Sequence, residues 1–404
     1  MNILIHATLY PEYADGKRPN TTLFIHYYAA EWIKQGHNVL VIHHKAVFPR
    51  AVVAACGLYA KLPLPLAGRV RDYLDGYGVD GDAEYLRDGV PVCRRSIVKP
   101  LPRMLFSRRA IRKRAAECEK ILQERNFRPD VVVADFINPG LFVAREMGGA
   151  PCVVALHDTD MGYMDRLHTK KTTERALRDA AVIAFRSGQK EEYFKDKYFI
   201  PEKSLQMPSG LPADFPVEPR VRSRVRDFLC AGRMVPLKRM DTLIRAFGML
   251  KQPDITLTLV GEGVEEENLR MLAQAQPNAD KIRFAGRLPR EKTLQAMRDA
   301  DCFALVSESE SFGMTYVEAL YTGAAVIGAP GQGGTAFIRE GDTGYLIPSD
   351  DAQGLAQRMQ SLIDMEEADV SALSKRAAES VAHLRDDRLA AAAAEYFMEL
   401  AKEK

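Results

Sequence analysis

Two glutamates, Glu310 and Glu318, stand eight positions apart in the stretch SESESFGMTYVEALYTG. A carboxylate accepts hydrogen bonds well from the hydroxyls of a sugar or a ribose. Between the two lies Phe312-Gly313-Met314, where a glycine lets the backbone come close to a ligand. The segment MTYVEALYTG predicts a helix beginning near Met314, whose free N–H groups and positive dipole end would suit a phosphate. Sugar beside Glu310, diphosphate at Gly313-Met314 and ribose toward Glu318 is the layout of a nucleotide sugar. Two carboxylates also suit the acid–base or nucleophile pair of a glycoside hydrolase. The plainest reading is a loop acid that favours the helix dipole, followed by an ordinary helix-surface glutamate.

The elements that must position these groups alternate along the chain. Short apolar runs NILIH, NVLVIH, DVVVA, CVVAL and AVIAF precede Pro201, and FLCAG, ITLTLVG, KIRFAG, CFALVS and AAVIGAP follow it. Helical patterns such as TTLFIHYYAAEWIKQG and MDTLIRAFGMLKQ separate them. Continuous apolar strands divided by helices indicate parallel sheets covered on both faces, and two such series imply two doubly wound α/β domains. The Pro- and charge-rich stretch from Met207 to Arg224 marks the boundary. The expected domains are therefore residues 1–206 and 207–385, with a C-terminal helix at about 386–404 packing back on the first. Ligands of open α/β sheets bind at the carboxyl ends of the strands, so a cleft between the two sheets is the expected active site. Arg233 and Lys238 follow the strand FLCAG and could reach a diphosphate from its loop, one as a planar fork and one as a point charge.

Composition narrows the function. With 404 residues, 47% hydrophobic and 27% charged, the chain can bury sizeable cores. Lys plus Arg number 56 against 54 Asp plus Glu, which argues against a nucleic-acid binder and leaves any anionic ligand to a few local cations. The six cysteines contain no C-x-x-C pair and read as buried thiols in a reducing cytosol. The opening MNILIHA reads as a strand, not as a secretory signal. The most apolar stretch, Ala51 to Gly68, is interrupted by Lys61, Pro63 and Pro65, so a spanning helix is not expected.

The ordered set of motifs resembles the family-four glycosyltransferases, retaining enzymes of the GT-B fold. Glu310 and Glu318 match that family's Glu-x7-Glu motif with Phe-Gly in place after the first. AGRMVPLKRMDTLIRAF carries the Gly-Arg and following Lys used against the donor diphosphate; LTLVGEGVEEENL and IRFAGRLPREKTLQAMRDADCFALVSES follow in order. The resemblance covers Ala231 to about Asp350 closely and the first half more loosely. It implies roles for Arg287 and Leu288 at the nucleobase, and for Phe312, Gly313 and Met314 at the diphosphate. Gly16 stands where the family commonly has a glycine pair, in the departing sequence Asp15-Gly16-Lys17. His157, in VVALHDTDMG, matches a histidine near the transferred sugar, with Asp158 to orient it or to meet the acceptor. The Gly261 to Gly263 run GEG reads as a tight strand-to-helix turn.

What the resemblance implies is a retaining transfer of a hexose-type sugar from a nucleotide-diphosphate sugar to an acceptor hydroxyl, in bacterial cell-surface glycan or glycolipid synthesis. Glu310, His157, Arg233 and Lys238 would be catalytic. No metal and no cofactor beyond the donor substrate would be required. The acceptor would be a saccharide or lipid-linked, and the enzyme cytoplasmic. The basic segment SRRAIRKRAAECEKIL and the apolar segment Ala51 to Gly68 read first as a solvated helix face and a packed loop; their alternative is peripheral contact with the inner face of an anionic membrane. The rival functions are the hydrolase and a non-catalytic GT-B partner subunit, which would be expected to have lost the phosphate cations or the motif glutamates.

Overall fold

The computed structural model describes residues 1–11, 23–49, 54–55, 81–99, 105–157, 160, 164, 170–198, 203–310, 312–331 and 333–403. It divides into two compact units. The first comprises Met1–Arg186, Glu191–Met207 and Asp386–Lys404; the second comprises Ser187–Lys190 and Pro208–Arg385.

The first unit is built on β1 (Asn2–Ala7), β2 (Asn38–Val47), β3 (Ala83–Arg87), β4 (Val90–Val98), β5 (Val131–Asp135), β6 (Cys152–Ala155), β7 (Val182–Phe185) and β8 (Ser204–Gln206). They form one sheet in the order β3-β4-β2-β1-β5-β6-β7-β8. All neighbours are parallel except β3 and β4. That hairpin was not foreseen, because AEYLR alternates half-buried and exposed residues at a sheet edge instead of forming an apolar run. Its turn is Asp88-Gly89, both at positive φ, the pattern that fits a tight two-residue connection to strand twist.

Helices α1 (Phe24–Lys34), α2 (Arg108–Glu124), α3 (Phe142–Met147), α4 (Lys170–Arg178) and α5 (Gly188–Lys197) follow in chain order. Trp32 of α1 is fully buried. Its indole N–H donates to the Ala390 carbonyl at 2.8 Å, and its ring packs 5.5 Å from Phe397. Both partners lie on the last helix of the chain, which the core of the first unit therefore holds.

The second unit has β9 (Asp227–Ala231), β10 (Thr256–Val260), β11 (Ile282–Gly286), β12 (Cys302–Ala304), β13 (Ala325–Gly328) and β14 (Tyr345–Leu346). All pairs are parallel, in the order β11-β10-β9-β12-β13-β14. Its helices are α6 (Met240–Gly248), α7 (Glu266–Gln274), α8 (Arg290–Asp299), α9 (Met314–Tyr321), α10 (Ala352–Ile363) and α11 (Glu367–Val381); α12 (Asp386–Lys402) completes the chain. Among the parallel strands of each sheet the order reverses once, between β1 and β5 and between β9 and β12. Those switch points are where open α/β sheets bind ligands.

Behind the second switch point, Arg222 is 1% exposed. Its guanidinium donates to the carbonyls of Met297, Arg298 and Ala300 at the end of α8, and to that of Thr322 at the end of α9. Helix C-termini leave carbonyls without intrahelical partners and carry negative partial charge. One buried cation thus fixes the two helices that carry Arg290 and Glu318.

Candidate active site

At the second switch point, two loops are stitched together. The Glu308 N–H donates to the Leu237 carbonyl at 2.9 Å. Arg239 donates to Glu308 at 2.7 Å, and Lys238 pairs with Glu310. Glu310 also accepts from the Ser307 hydroxyl at 3.1 Å. Two residues assigned to the diphosphate and the sugar are therefore in contact although 72 positions separate them. Arg233, immediately after β9, is exposed and has no ion pair among the described residues.

The backbone here is shaped by glycines. A Cβ on Gly261 would lie 1.9 Å from the Gly232 carbonyl oxygen, and one on Gly263 would lie 2.2 Å from that of Met234. The GEG run is thus a strand-to-helix turn pressed against the loop that carries Arg233. Gly313 has φ 78°, and a Cβ there would lie 2.6 Å from the Tyr316 ring; it precedes the first turn of α9, which holds no acidic residue. Phe312 is buried beside Phe337, and Met314 is half-buried.

Glu318 lies on α9 and is 4% exposed, not on an open helix surface. Arg290 of α8 sets a nitrogen 2.6 Å from its Oε1, although that N–H is not aligned to donate, since the oxygen has no hydrogen-bond partner. Burial pushes the Glu318 carboxyl above the usual range, and Arg290 opposes the shift. Arg287 is exposed and 3.3 Å from Glu262, with Leu288 half-buried beside it. Each motif glutamate therefore has its own cation, an arrangement unlike two carboxylates that share a glycosidic bond.

The first switch point is different. His157 follows β6 and donates from Nε2 to Asp135 at the end of β5, at 2.7 Å. Phe136 stacks on the imidazole at 3.9 Å between centroids while holding φ 77°, an uncommon conformation for an aromatic residue. Phe24 meets the same ring edge-on at 5.8 Å, and the Arg186 guanidinium covers Phe24 at 3.7 Å. Asp160 accepts the N–H groups of His157 and Ile137 at 3.0 and 3.1 Å, which ties together the loops after β5 and β6. Burial raises the Asp160 pKa to about 6.

Among the described residues, Asp135 is a carboxylate on His157. Asp158 and Gly16 lie outside them, as does nearly all of the apolar segment Ala51 to Gly68. Three residues beside these groups escaped sequence reasoning. Asp135 ends an apolar run, Asp160 follows His157 by three positions, and Arg290 closes the stretch RLPR. An acid terminating a buried strand was the one usable signal.

Comparison with known proteins places this geometry. The whole chain superposes on sucrose-phosphate synthase from Thermosynechococcus elongatus with a TM-score of 0.70 at 16% identity, covering 100% of both chains. It superposes on Anabaena HepE, solved with UDP and glucose, with a TM-score of 0.64 at 18% identity, covering 99% of this chain and 100% of that one. The chain has the GT-B fold, with two Rossmann-like parallel sheets. Residues 215–380, the greater part of the second unit, match the family described as Glycosyl transferases group 1.

Among curated relatives, a GDP-mannose-dependent alpha-(1-6)-phosphatidylinositol monomannoside mannosyltransferase of Mycolicibacterium smegmatis is 27% identical over 55% of this chain and 63% of its own length. The lipopolysaccharide core biosynthesis glycosyltransferase LpsE of Rhizobium meliloti is 30% identical over 38% and 41%. The match spans less than two thirds of either relative.

Proposed function

We propose that this protein is a retaining glycosyltransferase that moves a hexose-type sugar from a nucleotide-diphosphate sugar to an acceptor hydroxyl. The observation that carries the reading is the Lys238–Glu310 contact beside the Gly313-Met314 helix start. It brings a cation and a carboxylate beside a helix start at one sheet switch point. In the reaction Lys238, Arg233 and the helix N-terminus stabilise charge on the departing diphosphate, where preorganised donors act most strongly. Glu310 holds the sugar and Glu318 the ribose hydroxyls, with Arg287 and Leu288 at the base. His157, oriented by Asp135 and walled by Phe136, serves the transferred sugar through Nδ1. Same-face attack, with the leaving phosphate accepting the acceptor proton, needs no protein nucleophile.

The relatives named for phosphatidylinositol mannoside and lipopolysaccharide core suggest a cell-envelope glycan or glycolipid acceptor. Their donors order the test. Thermal-shift titration against GDP-mannose, UDP-glucose, ADP-glucose and the free diphosphates should select one base; ligand at about 100 times its dissociation constant stabilises by about 2.7 kcal/mol. Mass spectrometry of the selected donor then detects transfer or slow hydrolysis. Sugar turnover without any nucleotide donor would restore the hydrolase.

A further inference from the structure

The first unit holds a cavity of about 630 Å³ that the transfer reading does not use. Among the described residues, Leu105, Phe106, Ile111 and Phe142 line it with apolar surface, and Arg108, Arg145, Lys171 and Arg175 rim it with one acid, Glu146. Arg145 is paired with Asp179, and Glu146 with Arg112 at 3.3 Å. Arg108, Lys171 and Arg175 have no ion-pair partner among the described residues. Three exposed cations without ion-pair partners among the described residues therefore rim one apolar hollow and repel each other. Their placement adds to the anomaly. Arg108 opens α2 and Lys171 lies in the first turn of α4, and neither first turn contains an acid. Cations at helix N-termini oppose the macrodipole. An anion at the cavity mouth would relieve all of these interactions together, receiving salt links and two favourable helix ends.

The size says more. The cavity is far larger than a phosphate ion and lies within the range of small-molecule sites. Its floor includes two aromatic rings, and Phe106 is itself covered by Lys99 at 5.5 Å. A ligand that fills it carries an anionic head and an apolar continuation. We propose that this cavity binds the phosphate of a membrane-borne lipid, with the phosphate among Arg108, Lys171 and Arg175 and the start of its chain on Phe106 and Phe142. The basic segment of α2 is then a lipid-binding edge and not merely a solvated face. The inference deepens the transfer reading by naming the chemical class of acceptor or anchor, and binding is measured without nucleotide so that either can fail alone.

The test uses the intact protein with three probes: inorganic phosphate, decyl phosphate below its micellar concentration, and phosphatidylcholine vesicles with or without phosphatidylglycerol. Expected are co-sedimentation only with the anionic vesicles and binding of decyl phosphate at least about tenfold tighter than inorganic phosphate, since each buried methylene adds favourable transfer energy. The double variant Arg108→Gln/Arg175→Gln should weaken both interactions by about tenfold or more, and Lys171→Gln by less, because each cation near an anionic surface contributes separately. Arg283→Gln, an exposed cation of the second unit, should change neither. Unchanged melting temperatures would establish that the variants fold. The proposal is overturned if neither amphiphile binds, if inorganic phosphate binds as tightly as decyl phosphate, or if the double variant binds like the parent.

Discussion

At the switch point of the second sheet, cations meet carboxylates across two loops: Lys238 on Glu310 and Arg239 on Glu308, with Arg290 on Glu318 along the next helices. At the switch point of the first sheet, one imidazole rests on one carboxylate between aromatic rings. From β4 to β7 in the first sheet and across the whole of the second, six parallel strands follow the same order, so the backbone architecture alone does not decide the chemistry. The loops do. The charged side suits a ligand with a large, spread negative charge, and its cations are held by acids that such a ligand would displace or share. The imidazole side suits a neutral, hydroxyl-rich group, where a single oriented nitrogen and apolar walls exclude water.

The largest effect that tests this contrast comes from Lys238. Lys238→Ala removes a cation beside the proposed diphosphate and leaves Glu310 without it. Turnover, measured as release of nucleoside diphosphate, should fall about 10²–10³-fold, the scale for losing one charge stabiliser. Glu310→Gln should depress turnover too, yet bind the nucleoside diphosphate no more weakly, because Lys238 is then released from its carboxylate. Equal loss of nucleotide affinity in both variants would break the assigned order of sugar and phosphate.

A smaller effect should follow at the imidazole. Asp135→Asn keeps the shape but no longer holds the Nε2 proton with a charge, so the tautomer and orientation of His157 loosen. The rate constant kcat should drop about tenfold, with KM little changed, since the imidazole is less firmly oriented. A change confined to the melting temperature, with kcat intact, would make Asp135 purely structural.

How much of this was legible follows from distance along the chain. The apolar strands β1, β5 to β7, β9, β12 and β13 show as continuous runs because both faces of a parallel sheet are buried. The edge hairpin was harder, since β3 is half-exposed, although Asp88-Gly89 is a recognisable turn pair. On the charged side, Glu310, Gly313 and Glu318 belong to one contiguous motif, and Lys238 comes with the Gly-Arg that precedes it. His157–Asp135 and Arg290–Glu318 join residues 22 and 28 positions apart. Such pairings depend on which strands lie side by side, and a single sequence does not state that order.

Glu318 gives a more modest and pH-dependent effect. Burial raises its carboxyl above the usual range, so the native state holds its proton more tightly than the unfolded chain does. Between the ordinary pKa and the raised one, this group makes the protein less stable as pH rises. Ribose hydroxyls donate to the ionised form, so nucleotide affinity should fall on acidification through that raised value. Glu318→Gln should weaken nucleoside diphosphate binding by about tenfold at neutral pH, one ion-strengthened hydrogen bond's worth, and abolish that pH dependence. Isothermal titration across pH resolves both, and a persistent acid limb in the variant would assign it elsewhere.

The smallest effect is expected from chelation. A divalent ion serves diphosphate transfer by neutralising charge, and it needs carboxylates free to ligate it. At the second switch point Glu308 and Glu310 are instead engaged by Arg239 and Lys238. Among the described residues, the cluster with metal-ligand chemistry is His6, His44 and Cys118, buried within the first unit. There His6 and His44 hydrogen-bond each other at 2.8 Å. Burial lowers the His6 pKa to about 3 and raises the Cys118 thiol to about 12, so both are neutral at physiological pH. In the proposed reading, the positive charge that the leaving diphosphate needs comes from Lys238, Arg233 and the start of α9. Donor turnover should be the same in EDTA as in Mn²⁺. A loss of more than about tenfold with chelator, reversed by Mn²⁺, would move the charge-stabilising role from these residues to a metal, and the contrast between the two switch points would then rest on their neutral groups alone.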